Sequence, residues 1–294
     1  MVKLYRSKRG EQALLASYDR LLGQWGVPVE ERDIPTRYGT THVLLAGDAG
    51  LPPLVLFHGV GDDAALMWVY NAAELSKHFR LFALDTMGGP GKSRPNAQYG
   101  KGFLQECWVD DVLDGLGLGA VLVAGTSNGA YLAQRYAARR PQRVLRCVSM
   151  AGSLAAGIGS PMGKMMRVFL PEALLPTKRN VGKLLAKMIG ENIAVFTGND
   201  ALMEHWTLLL RHFNTMAMGF HRIEPLNAEE VAALRGKTLF LLGDCDPLAY
   251  SAASVETLAR EGMEHRIYPG VGHGINHERA AEVNRELINF FTRP

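Results

Sequence analysis

AVLVAGTSNGAYLAQRYA, residues 120–137, sets an apolar run directly against an amphipathic one. The first half has the near-continuous apolar character of a strand buried on both faces of a parallel sheet. From Asn128 onward the apolar residues are spaced for one face of a helix. The junction is Gly125-Thr126-Ser127-Asn128-Gly129, a G-x-S-x-G turn. So tight a strand-to-helix turn forces its central residue into an unfavourable backbone conformation, and small residues at Gly125, Gly129 and Ala130 let strand and helix approach closely. The same letters also fit a Gly-rich turn with a helix-capping serine. The surroundings decide between the two.

Short strand-like runs bounded by Gly, Pro and Asp flank this stretch. PVEERDI, THVLLAG, PLVLFHG and FRLFALD precede it, and VLRCVSMAG, TLFLLGD and EHRIYPG follow it. Helical patterns lie near 103–115, 128–140, 251–261 and 278–292, and another at 9–25 comes before the first strand. Alternating strand and helix predicts an α/β fold with crossover connections. The alternation fails once, between VSMAG and TLFLLGD, where more than eighty residues carry helical patterns such as VGKLLAKMIG and DALMEHWTLLLRHFNTMAMGF. A structureless stretch of that length is uncommon in a compact domain, so an inserted helical subdomain is predicted. The expected division is a core of 1–152 and 236–294 and a helical cap of 153–235. The insertion holds Met162, Met165, Met166, Met188, Met203, Met216 and Met218, more than half of the chain's 12 methionines. They suit either helix core or a pliable apolar wall over a pocket.

Composition narrows the function. Net charge is +3 with the basic residues spread along 294 positions, which does not suggest a nucleic-acid surface. Cys107, Cys147 and Cys245 form no CxxC and cannot all pair, which fits a reducing, cytoplasmic setting. The N-terminus has charges where a signal peptide needs an apolar core, and no apolar run approaches the ~20 residues of a membrane span. Oligomeric state is not legible. LDTMGGPGKSRP, residues 84–95, looks at first like a phosphate loop. That motif requires Gly where Thr86 stands and a helix directly after it, and RPNAQYGKG opens none. No cofactor is therefore expected.

A serine nucleophile needs a base, and the base needs an orienting acid. After EHRIYPG stands Val271-Gly272-His273-Gly274, a histidine on a Gly-flanked loop. After TLFLLG stands Asp244-Cys245-Asp246-Pro247, with two candidate acids; their charges would raise the Cys245 pKa and make it a poor nucleophile. His273 and His277 have i,i+4 spacing, but His273 lies on a loop and no HExxH accompanies it, so no metal site is expected. His205, His212 and His221 are expected on polar surface.

Taken together, these motifs resemble the α/β-hydrolase superfamily, specifically its cap-bearing serine esterase-like members, over about residues 40 to 294. The resemblance implies a mostly parallel eight-stranded sheet flanked by helices, with a helical cap after the sixth strand. It implies Ser127 as nucleophile and His273 as base. Asp246 is favoured over Asp244, because the family's acid stands three residues after the Gly that ends its strand, here Gly243. The Asn128 N–H, just past the nucleophile, would be one oxyanion donor. His58-Gly59-Val60-Gly61 resembles the family's HG-x-G loop and makes the Val60 N–H the other, with His58 in a structural role. Asp85, Gly88, Gly91 and Ser93 resemble the family's D-x-x-G-x-G-x-S turn with one residue added, leaving Lys92 as a solvated turn residue. The implied activity is hydrolysis of a small hydrophobic ester-like substrate through an acyl-enzyme. Thioester, lactone and C–C bond hydrolysis, or ligand reception without turnover, would use the same residues.

Overall fold

In the computed structural model, which describes residues 2–156, 168–170 and 172–294, the strand-like runs form one sheet. Its strands are β1 (Glu30–Thr36), β2 (Gly39–Ala46), β3 (Pro53–Phe57), β4 (Arg80–Leu84), β5 (Arg94–Pro95), β6 (Val121–Thr126), β7 (Val144–Met150), β8 (Thr238–Gly243) and β9 (Glu264–Tyr268). Eight lie side by side in the order β1-β2-β4-β3-β6-β7-β8-β9, while the two-residue β5 pairs with β2. β2 runs antiparallel to β1, β4 and β5, and every pair from β4 across to β9 is parallel. β6 and β8 are buried at every position, as continuous apolar runs covered on both faces should be.

Alternate residues of the central strands enter two separate cores. Leu54, Leu56, Leu122 and Ala124 face a core built with the helices Lys8–Leu22 and Ala280–Phe291. Val55, Phe57, Val121 and Val123 face a core built with the helices Gln105–Gly115, Asn128–Arg139 and Ala252–Arg260. The β3–β6 register sets Phe57 beside Gly125, and the β8–β9 register sets Gly243 beside Tyr268. The loops that follow these four strands therefore open at the same end of the sheet, where doubly covered α/β sheets hold their ligands.

Between β7 and β8 the described residues form helices, chiefly Lys178–Met188, Asp200–His212 and Ala228–Ala232, and no strand. Thr177 and Asn199 cap the first two by accepting backbone N–H bonds. Met188, Met203 and Met218 are buried, Met216 is 80% exposed, and Met162, Met165 and Met166 lie outside the described residues. The helix Lys8–Leu22 buries Leu14, Tyr18 and Leu21 and packs on Asp200–His212. Just ahead of it, Tyr5 forms a β-bridge with Phe213: the Arg6 N–H donates to His212 O at 2.8 Å, and the Asn214 N–H donates to Leu4 O at 2.8 Å. No helix of the described residues is long and apolar enough to cross a membrane.

Candidate active site

Ser127 sits where β6 becomes a helix, with φ 58° and ψ −119°. Among the described residues only Ala151 shares a positive φ without being glycine. Such a backbone costs on the order of 1–3 kcal/mol and persists only where the surroundings dictate it. Here they do, because a Cβ on Gly125 would strike the Gly129 carbonyl and one on Gly129 would strike the Phe57 carbonyl. Ser127 makes no side-chain capping bond to the helix it precedes, which removes the capping interpretation. Its Oγ instead lies 2.9 Å from His273 Nε2.

The other ring nitrogen of His273, Nδ1, is 2.8 Å from Asp246 Oδ2. Asp246 is buried, and its Oδ1 accepts the Leu248 and Ala249 N–H groups at 2.8 and 3.1 Å. Asp244 is exposed and accepts the Gly270 N–H at 2.8 Å, tying the end of β9 instead of reaching His273. Burial works against a charged His273, but the Asp246 carboxylate outweighs it and raises the imidazole pKa above its ordinary value. The loop carrying His273 is fixed from behind. Its N–H donates to Met188 O at 2.6 Å, and Glu278 accepts the N–H groups of Gly272 and Gly190 at 3.0 and 2.8 Å. A surface cleft of about 820 Å³ is lined by Glu278 and Arg285 but by none of Ser127, His273 and Asp246.

On the other side of Ser127 runs the loop after β3. Buried His58 bonds through Nδ1 to the Gly59 carbonyl at 2.8 Å and accepts the Thr86 N–H at Nε2, also 2.8 Å. That pattern needs the neutral ring, and burial lowers the His58 pKa accordingly. Gly61 turns the loop with φ 78°. Among the described residues, no backbone or side-chain acceptor takes the N–H of Val60 or of Asn128. The next two residues, Asp62 and Asp63, are buried acids. Asp63 Oδ1 accepts the Leu66 N–H at 3.0 Å, capping the short helix Ala64–Met67, and its Oδ2 lies 2.7 Å from His205 Nε2. Asp62 is pushed up to about 7, first by burial and then by the charge of Asp63.

The turn after β4 has positive φ at Gly88 (80°) and Gly91 (108°). Asp85 accepts the N–H groups of Lys92 at 2.7 Å and Ala64 at 3.1 Å, while Ser93 Oγ donates to the Asp85 carbonyl at 2.6 Å. Lys92 departs from expectation. It lies over the first helix, 2.8 Å from Asp19 and 4.9 Å from the centre of the Tyr18 ring.

His205 and His221 also depart from the expected polar surface, for both are buried. His205 meets Asp63, and His221 bonds to the Met87 carbonyl at 2.6 Å and to Gln105 at 3.0 Å. His277 is engaged with the Leu66 carbonyl at 3.1 Å, away from His273, and burial lowers its pKa to about 4. Asp62, Asp63 and Glu278 were not singled out from sequence. For Asp63 a signal existed, an Asp three residues ahead of Leu66 at the start of an apolar helical run.

Residues 52–173 match the family model described as alpha/beta hydrolase fold. Together with the sheet order described above, this match gives the chain an α/β-hydrolase fold. Carboxylesterase YbfK of Bacillus subtilis (strain 168) is 25% identical over 292 residues, covering 93% of this chain and 92% of that protein. The crystal structure of naproxen esterase (carboxylesterase NP) from Bacillus subtilis superposes with a TM-score of 0.82 at 23% identity, covering 98% of this chain and 100% of that one. This coverage takes in the first helix, beyond the 40–294 read from motifs. The 2-hydroxymuconate semialdehyde hydrolase of Pseudomonas sp. (strain CF600) is 28% identical over 253 residues, 78% of this chain and 83% of that protein.

Proposed function

We propose that this protein is a serine hydrolase that cleaves a carboxylic ester of a small hydrophobic substrate through an acyl-enzyme. The observation that carries the reading is the continuous line Asp246 Oδ2, His273 Nδ1, His273 Nε2 and Ser127 Oγ, with spacings of 2.8 and 2.9 Å. The two unclaimed N–H groups of Val60 and Asn128 on the adjoining loops support it. Ser127 Oγ attacks the ester carbonyl as His273 takes its proton, Asp246 holds the imidazole in the tautomer with Nδ1–H, and the two N–H groups receive the oxyanion. His273 returns the proton to the departing alcohol, and water repeats the cycle on the acyl-enzyme. Similarity to carboxylesterases over almost the whole chain favours this bond over a thioester or lactone. The helices of 153–235, with buried Met188, Met203 and Met218, act as a cap that selects an apolar group. C–C bond hydrolysis on the same residues is kept as the second reading, alongside the similarity to a 2-hydroxymuconate semialdehyde hydrolase.

The test is turnover of p-nitrophenyl esters across acyl lengths, with a fluorophosphonate probe to mark the nucleophile. Multiple turnovers and labelling that Ser127→Ala abolishes are expected. Absence of both would sink the esterase reading. Because the base must be neutral, kcat/KM should fall on the acid side through the pKa of His273, which Asp246 raises. Asp246→Asn should shift that limb to lower pH.

A further inference from the structure

Asp62 is the group near Ser127 that the steps above leave unused. Its Oδ2 stands 3.1 Å from the point a Cβ on Gly59 would occupy, and that same point is 3.3 Å from Ser127 Cβ. The missing side chain of Gly59 is thus what leaves carboxyl and serine facing each other across a gap of about one methyl group. Asp62 is only 9% exposed, its Oδ1 is sealed from solvent without a partner among the described residues, and none of them donates to its Oδ2. A buried carboxyl with no donors requires an explanation, since native structures rarely leave one unsatisfied. Three titratable groups face it: Asp63 from the same loop, His273 from the loop after β9, and His205 from the helix Asp200–His212. Burial and Asp63 favour its protonated form, while the two histidines oppose them. A protonated carboxyl is a hydrogen-bond donor.

We propose that Asp62 is a specificity-determining residue that donates a hydrogen bond to an oxygen carried by the substrate's acyl group beside the scissile carbonyl. The preferred substrates are then hydroxyacyl or alkoxyacyl esters over plain fatty acyl esters of equal length. The acyl side is the one chosen because the acyl group stays bonded to Ser127 Oγ in the acyl-enzyme, within reach of Asp62, while the alcohol leaves past His273. Once ionised, Asp62 can only accept, and its charge opposes the oxyanion forming at the Val60 N–H two residues away. The preference should therefore fade as pH rises through about 7.

This inference rests on the serine-esterase reading, and its experiment separates the two. The measured quantity is the ratio of kcat/KM for p-nitrophenyl methoxyacetate to that for p-nitrophenyl butanoate, from about pH 6 to about pH 8. Asp62→Ala should lower the ratio about tenfold at the acid end, the order expected for one lost hydrogen bond. Asp62→Asn, which keeps a donor but cannot titrate, should retain most of the ratio and make it independent of pH. An unchanged ratio in Asp62→Ala, with Ser127 still labelled by fluorophosphonate, overturns the proposal. If Asp62→Ala does not fold, Asp62→Asn decides: a flat ratio supports Asp62, and a wild-type pH dependence overturns it. Failure of the esterase reading registers separately, as undiminished turnover of both esters by Ser127→Ala.

Discussion

Asp246–His273 and Asp63–His205 are both buried aspartate–histidine pairs at nearly equal spacing, 2.8 and 2.7 Å, yet their remaining ring nitrogens face different surroundings. His273 Nε2 meets the hydroxyl of Ser127, whereas His205 Nδ1 is buried without a partner among the described residues. The first pair joins two loops at the carboxyl end of the sheet. The second joins the loop after β3 to the helix Asp200–His212 of the insertion. An acid–base pair alone therefore does not set the candidate site apart; what stands at the far nitrogen does. Asp63–His205 has the build of a fastener that holds the insertion against the loop carrying Val60.

The largest expected contrast is kinetic. Asp246→Asn should lower kcat on p-nitrophenyl butanoate by about 10⁴-fold with little change in thermal midpoint, whereas Asp244→Asn should stay within a few-fold of wild type. A reversal of these two results would swap the acids and undo the comparison. Next comes stability. His205→Ala leaves the Asp63 charge buried and uncompensated, a loss of roughly 3–5 kcal/mol in urea unfolding. A loss below about 1 kcal/mol, the scale of an exposed pair, would show that the pair does not fasten the insertion.

The smallest effect concerns Asp62, next to Asp63. Unfolded, its carboxyl loses a proton near its ordinary value of 3.8; folded, it holds that proton to about 7. Between these values the unfolded state binds fewer protons, so this group's contribution to stability falls as pH rises from about 4 to about 7. Asp62→Asn should then raise the thermal midpoint by a few degrees at pH ~8 and by much less at pH ~4. Equal shifts at both would mean that Asp62 is ionised in the fold throughout.

Features carried by local pattern were legible in sequence. Gly125 through Ala130 announced the turn at Ser127 because a close strand-to-helix crossing excludes side chains at fixed positions. Residues alone left Asp244 and Asp246 open. The distinction depends on which carboxylate meets Gly270 and which meets His273, a long-range matter. Asp63 and His205 lie 142 residues apart, and no local rule pairs them. A clue was nevertheless present, for Leu202, His205 and Leu209 share helical spacing, placing His205 on an otherwise apolar and buried stripe. Lys92 is a further long-range case, because the pairing of its turn with the first helix leaves no trace in either segment alone.

The bridge between Tyr5 and Phe213 bears on how the chain matures. Tyr5 also bonds through its hydroxyl to Gly91, so one N-terminal side chain closes onto both the turn after β4 and the insertion. During synthesis, more than two-thirds of the 294 residues must emerge before His212 and Asn214 can receive this arm. Domains otherwise tend to fold from the N-terminus forward as they are made. Here the segment around Tyr5 must wait for residues made some two hundred positions later, so an early-made segment serves as a closing latch on a late-made one.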